Sequence, residues 1–489
     1  MSRVSRDLRQ NLRALVAIAC ALAIGAALVA APALAKPAGK GKPKPNTAGR
    51  LDRSFSKDGK SLLGFPPENA GGLGVKYTVP FQFNAGRLAM APAGGGKTIV
   101  AGSTRIVRVL ANGLLDRSFG RGGAVTVQRP PGMNFALTGV AVDSQGRVLL
   151  GGTARPLPNS STPDPLLSSA AVMRFSADGS VDRSFGKEGV LVTDFGIKPP
   201  QVPTGRYAGA AVGLKSIAVD SQDRPVLTGA AVVKASFCSP TETVTNGFVA
   251  RLTSSGALDP GFGGHGLREI SELGAFSEGK VLGSGVVLAV GTAKSGCEYK
   301  NGPSVLLTEF GPEGNLRPGF GLAGFRSVGF SSAPVAALTP SGKILLLGGK
   351  HGKSQLVMRL TRSGGLDPSF GRTGRVNVTS PSNVAFETIG VDSQERILLA
   401  GHATKRLHGK HNRGIARNSF VLSRMKAKGT FDRSFGHHGS VRTGFGGPSS
   451  ASASQLYVDA KGRITVGGNV VSGLLGTGSG YALARYLSK

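Results

Sequence analysis

The sequence has few acidic residues, few aromatic residues and almost no cysteine, and each shortage narrows the functions that it can encode. Of 489 residues, 59 are Lys or Arg and only 27 are Asp or Glu, so the formal net charge is +32. Three cysteines are too few for a cysteine-rich metal site. Aromatic residues make up 6% and include no Trp. The aromatic interleaving of nucleic-acid-binding surfaces is therefore missing, and we expect no specific nucleic-acid ligand.

Long stretches with helical periodicity are also scarce, whereas 75 glycines and 28 prolines recur at fixed places beside apolar runs. That balance favours many short strands joined by turns. The sequence contains no nucleophile elbow and no metalloprotease helix motif. We therefore assign no catalytic residue, no metal ligand and no cofactor from motifs.

The N-terminus has the pattern of a secretory signal: four arginines in the first 13 residues, an apolar run, and small residues at its end. An uncleaved anchor is the alternative, since residues 14–35 could just cross a bilayer. We predict a signal peptide over 1–35, a Lys- and Pro-rich linker over 36–49 and a folded domain over 50–489. No later segment resembles a membrane span, so we expect an exported protein that is secreted or associated with the cell envelope.

The positive charge survives removal of residues 1–35, which carry four Arg and one Asp, and leaves a net charge of +29. Such a charge attracts polyanions. In an exported protein the expected partners are an anionic envelope polymer or an acidic glycan. The alternative is a basic surface with no particular ligand. We expect a monomer.

One motif, Leu-Asp-x-x-Phe-Gly-x-x-Gly, recurs seven times at steps of 50 to 77 residues. A period of this size indicates a solenoid, propeller or array. Each unit also contains a 16-residue hairpin pattern, as in 137–152, and a further strand before and after the motif. Four strands per unit are typical of a propeller blade, so we predict an all-β, seven-bladed β-propeller.

The two chain ends predict how the ring closes. The first motif, at Asp52, has no three-strand block before it, and the last block ends at Lys489 with no motif after it. Seven motifs match seven blocks only if the N-terminal motif completes the C-terminal blade. Such closure removes open sheet edges.

In six units a third-strand charge stands eight positions before the motif Asp position, and it is Arg in five of them. In the remaining one of the six both signs reverse, because Glu309 replaces Arg and Arg317 replaces Asp. The joint reversal predicts an ion pair inside each blade, with a bidentate geometry open to arginine. The alternative is that these charges merely decorate exposed strands. Either role is structural. The predicted pairs are Arg108–Asp116, Arg174–Asp182, Arg251–Asp259, Glu309–Arg317, Arg359–Asp367, Arg424–Asp432 and, across the closure, Arg485–Asp52.

The motif in its Leu-Asp-x-Ser-Phe-Gly-x-x-Gly form, followed in the next unit by Val-Asp-x-x-Gly-Arg-hydrophobic-Gly, resembles the bacterial delta-60 repeat family. The resemblance covers about Arg50–Lys489. It implies a β-propeller-like fold in exported or surface proteins and supplies no catalytic residues to carry over. The unit at Arg317 and the missing Gly after Phe55 depart from the pattern.

The connections between the second and third strands vary most in length, and variable insertions often build the binding face of a repeat fold. Cys238 and Cys297 lie in two such connections of neighbouring units. In an oxidising compartment they predict a cross-blade disulfide, with two free thiols as the alternative.

The connection over residues 402–418 is the most basic, with no acidic residue. We predict that it contacts an anion or acidic glycan, and the alternative is a solvated basic loop. A metal site formed by His402, His408 and His411 is a less favoured interpretation of this loop than an anion site, because no carboxylate or Cys accompanies the three histidines. The candidate ligand-face residues are Lys405, Arg406, His408, Lys410, His411, Arg413 and Arg417.

These features together favour a non-catalytic binding or scaffold module at the cell envelope. A propeller enzyme, of the glycan lyase or quinone-cofactor dehydrogenase type, is the alternative, because propeller sites are assembled from distant blades and leave no local motif. A purely structural envelope protein is the third candidate.

Overall fold

Every strand in the described part of the chain belongs to a four-stranded antiparallel sheet, and that part contains no helix. The computed structural model describes residues 47–63, 88–157, 168–197, 211–235, 243–270, 273–283, 285–293, 305–330, 334–349, 355–378, 383–406, 416–446, 449–472 and 478–489.

The described strands number 28 in chain order. They are β1 (Lys60–Leu63), β2 (Ala89–Pro92), β3 (Thr98–Ala101), β4 (Arg105–Val109), β5 (Ala124–Thr126), β6 (Met133–Val142), β7 (Val148–Pro156), β8 (Ser169–Phe175), β9 (Val190–Thr193), β10 (Ala211–Val219), β11 (Pro225–Ala235), β12 (Thr243–Arg251), β13 (Leu267–Ile270), β14 (Leu273–Val281), β15 (Val287–Ala293), β16 (Val305–Phe310), β17 (Phe325–Val328), β18 (Val335–Leu338), β19 (Ile344–Gly349), β20 (Gln355–Leu360), β21 (Arg375–Val378), β22 (Val384–Val391), β23 (Ile397–Arg406), β24 (Ala416–Met425), β25 (Ser440–Thr443), β26 (Ser450–Val458), β27 (Ile464–Ser472) and β28 (Gly478–Tyr486).

The seven sheets are the blades of a seven-bladed β-propeller, as predicted. Strands β2–β5 form the first blade, and each following group of four forms the next, up to β22–β25 in the sixth. Strands β26, β27, β28 and β1 form the seventh. The first strand of each blade contacts the first strand of the next, and β26 contacts β2, so the first strands form a closed inner ring.

The N-terminal strand completes the last blade, and the predicted closure is confirmed. Strand β1 pairs antiparallel with β28 in a register that sets Lys60 opposite Ala484 and Leu63 opposite Tyr481. The edge that β28 would otherwise expose is thereby paired, which removes a template for aggregation.

In four of the seven blades, the hairpin turn between the first two strands is built around an aspartate: Asp143, Asp220, Asp392 and Asp459. In the second blade, Asp143 Oδ1 accepts hydrogen bonds from the amides of Gln145 (3.0 Å) and Arg147 (2.8 Å), and Arg147 Nε donates to Oδ2 at 2.6 Å. Gly146 adopts φ +77°, which a residue without Cβ enters without strain. The same bonds recur at Asp220, and the turn chemistry of the repeat is therefore local.

In five blades the arginine of the third strand donates a hydrogen bond to a carbonyl of the next blade. In the second blade, Arg174 Nε donates to Asp182 Oδ2 at 2.7 Å, Nη1 donates to the Ser254 carbonyl of the third blade, and the guanidinium lies 4.7 Å from the Phe185 ring centre. Asp182 Oδ1 accepts from the amide and hydroxyl of Ser184. The Asp182 carboxylate thus accepts hydrogen bonds from both Arg174 and Ser184. The bidentate Arg–carboxylate geometry that the sequence left open is not formed here.

Corresponding ion pairs occur in all seven blades, with N–O distances of 2.7–3.0 Å. The structure therefore brings together Arg108 and Asp116, Arg174 and Asp182, Arg251 and Asp259, Glu309 and Arg317, Arg359 and Asp367, Arg424 and Asp432, and Arg485 and Asp52.

The motif phenylalanines pack beneath these arginines in the core between blades. Phe119, Phe185, Phe262, Phe370 and Phe435 are fully buried. Burying a phenylalanine side chain stabilises a fold by about 1.5–3 kcal/mol. The repeated motif therefore contributes both the polar joint and the apolar filling of each seam between blades.

Candidate functional site

Five of the seven innermost strands carry a β-bulge at the same place. The pairing with the second strand shifts after Leu137 in β6, and at the matching residue of β10, β14, β22 and β26. Each shift leaves one residue without a pairing partner. These five residues are Thr138, Lys215, Ser277, Glu387 and Ser454.

All five bulge residues line one cavity of about 570 Å³, which also receives residues from the first strands of the other two blades. Because all seven first strands contribute, this cavity is the central channel of the ring. A bulge re-aims a side chain that regular pairing would place elsewhere. The bulges therefore place five polar side chains on the channel wall.

Two lysines and two glutamates bring charge to the channel wall. Glu278 Oε1 lies 2.7 Å from Lys280 Nζ, and its Oε2 accepts a hydrogen bond from the Ala336 amide of the next blade at 2.7 Å. Lys215 is exposed and forms no ion pair with any residue that the structure describes. It is therefore a channel cation available to a ligand.

Glu387 belongs to a small polar cluster that joins the sixth and seventh blades. Its Oε1 lies 2.7 Å from His402 Nδ1 on β23 and accepts a hydrogen bond from Ser452 on β26. Ser452 Oγ is itself 3.1 Å from the same His402 nitrogen. A serine–histidine–acid relay instead needs the serine and the acid on opposite imidazole nitrogens, so this cluster lacks the geometry of an activated nucleophile.

The channel hydroxyls are anchored by bonds to the backbone. Thr138 Oγ1 donates to the Gly151 carbonyl at 3.0 Å, and Ser277 Oγ donates to the Val290 carbonyl at 3.1 Å. Ser216 Oγ reaches the Gly279 carbonyl of the next blade at 3.3 Å. A hydroxyl that donates in this way still presents lone pairs to a ligand. The wall therefore offers fixed acceptors beside the Lys215 cation.

The predicted ligand face is only partly within the described residues. Lys405 and Arg406 are exposed at the end of β23, and Lys405 lies opposite Arg417 on β24. The described end of this hairpin therefore gathers positive charge. The remaining predicted residues of the loop lie outside the described residues: His408, Lys410, His411 and Arg413.

The predicted disulfide also lies outside the described residues, since neither Cys238 nor Cys297 is among them. The same is true of the predicted signal peptide over 1–35. In the described parts of the chain, no group of three or more His, Cys, Asp or Glu side chains is placed to hold a metal ion. Those parts also contain no helix long and apolar enough to cross a membrane.

One family model matches the chain over residues 239–262, and it describes a β-propeller domain of unknown function (DUF5122). That family is a propeller family. The match agrees with the ring of blades, whereas the narrower resemblance to delta-60 repeats stays a prediction. No curated protein sequence matches the chain.

Solved structures similar to this chain include a protein of unknown function from Bacteroides caccae, at 13% identity and a TM-score of 0.35 over 71% of this chain and 98% of that one. A putative gluconolactonase matches at 11% identity and a TM-score of 0.30, over 73% of this chain and 93% of that one. A mutant NanB sialidase from Streptococcus pneumoniae matches at 9% identity and a TM-score of 0.35, over 83% of this chain and 67% of that one. Similarities this low say nothing about what this chain binds or catalyses.

Sequence reasoning missed the channel residues, although a signal for them exists. In a regular strand the buried residues alternate, two positions apart. Leu214 and Ile217 are both buried yet stand three apart, as do Phe386 and Ile389. Such a spacing, with two polar residues between, marks a bulge.

Proposed function

We propose that this protein is an exported, non-catalytic binding module whose central channel takes a small polar ligand with an anionic group. The observation that carries the proposal is the set of five matching bulges, each of which places a polar side chain on the channel wall. A bulge interrupts sheet pairing, yet five of the seven blades have one at the same place, so the bulges favour a role beyond folding.

The ligand class follows from the volume and chemistry of the channel. A cavity of about 570 Å³ falls in the range of small-molecule pockets. Lys215 supplies a cation that pairs with no acid among the described residues, while Thr138, Ser277 and Ser454 supply hydroxyl oxygens. An acidic sugar or a sugar phosphate combines one negative charge with many hydroxyl groups, and we propose that class of ligand.

Binding is favoured over catalysis by the Glu387–His402–Ser452 cluster. Both the carboxylate and the hydroxyl contact the same imidazole nitrogen, so neither is arranged to pass a proton through the ring. The cluster instead links the sixth and seventh blades beside the channel and fixes the position of Glu387.

The experiment is calorimetric titration of the exported protein with galacturonate, glucose 6-phosphate and their neutral parents, at physiological salt. Loss of a hydrogen bond to a charged group costs about 1.5–3 kcal/mol, so Lys215→Ala should weaken binding of the acidic ligand about 10- to 100-fold. Lys187→Ala removes an exposed lysine outside the channel and serves as the matched control.

Equal affinity for acidic and neutral sugars, or an equal effect of the two lysine variants, would contradict the proposal. Turnover of a bound sugar, followed by chromatography of the titrated mixture, would replace the binding role with the enzymatic alternative.

A further inference from the structure

A second concave site, the seam groove, lies where the N-terminal segment meets the sixth blade. It has a volume of about 1140 Å³. One wall comes from residues 49–60, which precede and begin the closing strand β1. The other comes from residues 436–444, which contain β25. Both walls therefore belong to the seam at which the ring closes.

The seam groove is strongly cationic. It is lined by Arg50, Arg53, Lys57, Lys60 and Arg442. The only acidic residue in its lining is Asp58, whose carboxylate lies 3.5 Å from Lys60 Nζ. The other four cations are exposed and form no ion pair with the residues that the structure describes. Charge that no acidic residue neutralises favours an anionic occupant.

The other seams of the ring provide an internal comparison. The five Lys or Arg positions of the groove and the position of His437 make six. They stand two before and one, five and eight after the motif Asp of one blade, and five and ten after that of the preceding blade. At the closing seam these positions contain five Lys or Arg residues. The other six seams contain three, three, two, two, one and none. Because the fold is the same at every seam, the fold alone does not require the excess.

We propose that the seam groove binds an extended polyanion, with phosphate or carboxylate groups along its length, and that the bound polymer holds the ring closed. A ligand that touches both Arg53 and Arg442 bridges the closing segment and the sixth blade. Strand β1 is held to its blade by four paired residues. A ligand that binds only the closed form slows opening by a factor of one plus the ratio of its concentration to Kd.

This site is separate from the channel, since the two share no lining residue. A failure of channel binding therefore leaves the seam proposal intact, and the reverse also holds.

The test uses the exported protein with two linear probes, inorganic polyphosphate and polygalacturonate of matched length. Binding is measured by calorimetry across salt concentrations, and opening of the closing strand by hydrogen exchange of the β1 amides. The triple variant Arg53→Ala, Lys57→Ala, Arg442→Ala removes three groove cations. The matched control Arg121→Ala, Arg183→Ala, Lys187→Ala removes three cations from the equivalent six positions of the seam between the first and second blades, with the same change in net charge.

We expect the groove variant to lose at least 10-fold in affinity at physiological salt and the control less than 3-fold. Each lost contact lowers the slope of log K against log salt by about 0.7 for a single-stranded polyanion, so the groove variant should lose about 2 from that slope. At 100 times Kd, polymer should slow β1 exchange about 100-fold in the unmodified protein. The preferred probe identifies the phosphate or carboxylate source.

Equal losses in the two triple variants would overturn the proposal, because they would show that only net charge attracts the polymer. Unchanged β1 exchange at saturation would overturn the closure role. Binding to anionic lipid vesicles but to neither soluble polymer would assign the groove to a membrane surface instead.

Discussion

The buried Arg424–Asp432 pair offers a direct measure of what the repeated polar joint contributes to stability. Arg424 Nε lies 2.9 Å from Asp432 Oδ2, and its guanidinium lies 4.5 Å from the Phe435 ring centre. Its Nη1 also donates to the Ser488 carbonyl of the seventh blade. Arg424→Met keeps the apolar volume but leaves a carboxylate that is 9% exposed without its Arg424 partner. Breaking such a buried pair costs about 3–5 kcal/mol.

The assay is urea unfolding followed by circular dichroism, applied to a double-mutant cycle of Arg424→Met and Asp432→Asn. We expect a coupling free energy of at least about 2 kcal/mol. The matched control is the surface pair Arg183–Glu188, separated by 3.4 Å with side chains 80% and 71% exposed. It should couple by about 0–1 kcal/mol. A coupling for Arg424–Asp432 no larger than that of the surface pair would refute the reasoning.

Three further predictions concern charge and redox state. Burial is the main influence on Glu309 and raises its pKa despite the attraction of Arg317. Glu309→Gln should therefore leave the midpoint of urea unfolding at pH 7 unchanged or higher. Asp367→Asn, in contrast, should lower that midpoint. Burial alone would raise the pKa of Asp367, but Ser369, Lys343 and Arg359 together lower it. Since its folded pKa lies below its unfolded value, its contribution to stability should be complete above about pH 4 and disappear as pH falls through the folded pKa, which acid titration of the unfolding free energy would show. Finally, thiol labelling of the unfolded protein should modify Cys238 and Cys297 only after reduction, and labelling without reduction would rule out the predicted disulfide.

The blades and their closure could be read from the sequence because each depends on local signals. The alternating strands and the motif repeat in every unit, and aspartate turns recur in four of the seven units. A missing block at one end also matches a missing motif at the other. The natural reversal at Glu309 and Arg317 also pointed to a contact eight residues apart. In the structure Arg317 is 40% exposed, whereas the other arginines of the pairs are 2–11% exposed. The reversed blade therefore achieves the contact with a less buried cation.

The channel could not be read from the sequence in the same way. Lys215 and Glu387 are 172 residues apart, and only ring geometry brings their strands to one cavity. The charges of the basic loop 402–418 are close together in the sequence, whereas the channel charges are spread over three strands of different blades. The shared use of the Asp182 carboxylate by Arg174 and Ser184 also depends on side-chain geometry that residue spacing does not specify.

Lysine footprinting tests the central claim most directly, because it asks whether ligand occupies the channel of the unmodified protein. The protein is acetylated with and without a saturating acidic sugar, and modification is measured by mass spectrometry. We predict that ligand protects Lys215 at least 10-fold, while the exposed Lys187 reacts at an unchanged rate. Saturable binding with Lys215 still fully reactive would place the ligand elsewhere and contradict the proposal that the channel is the binding site.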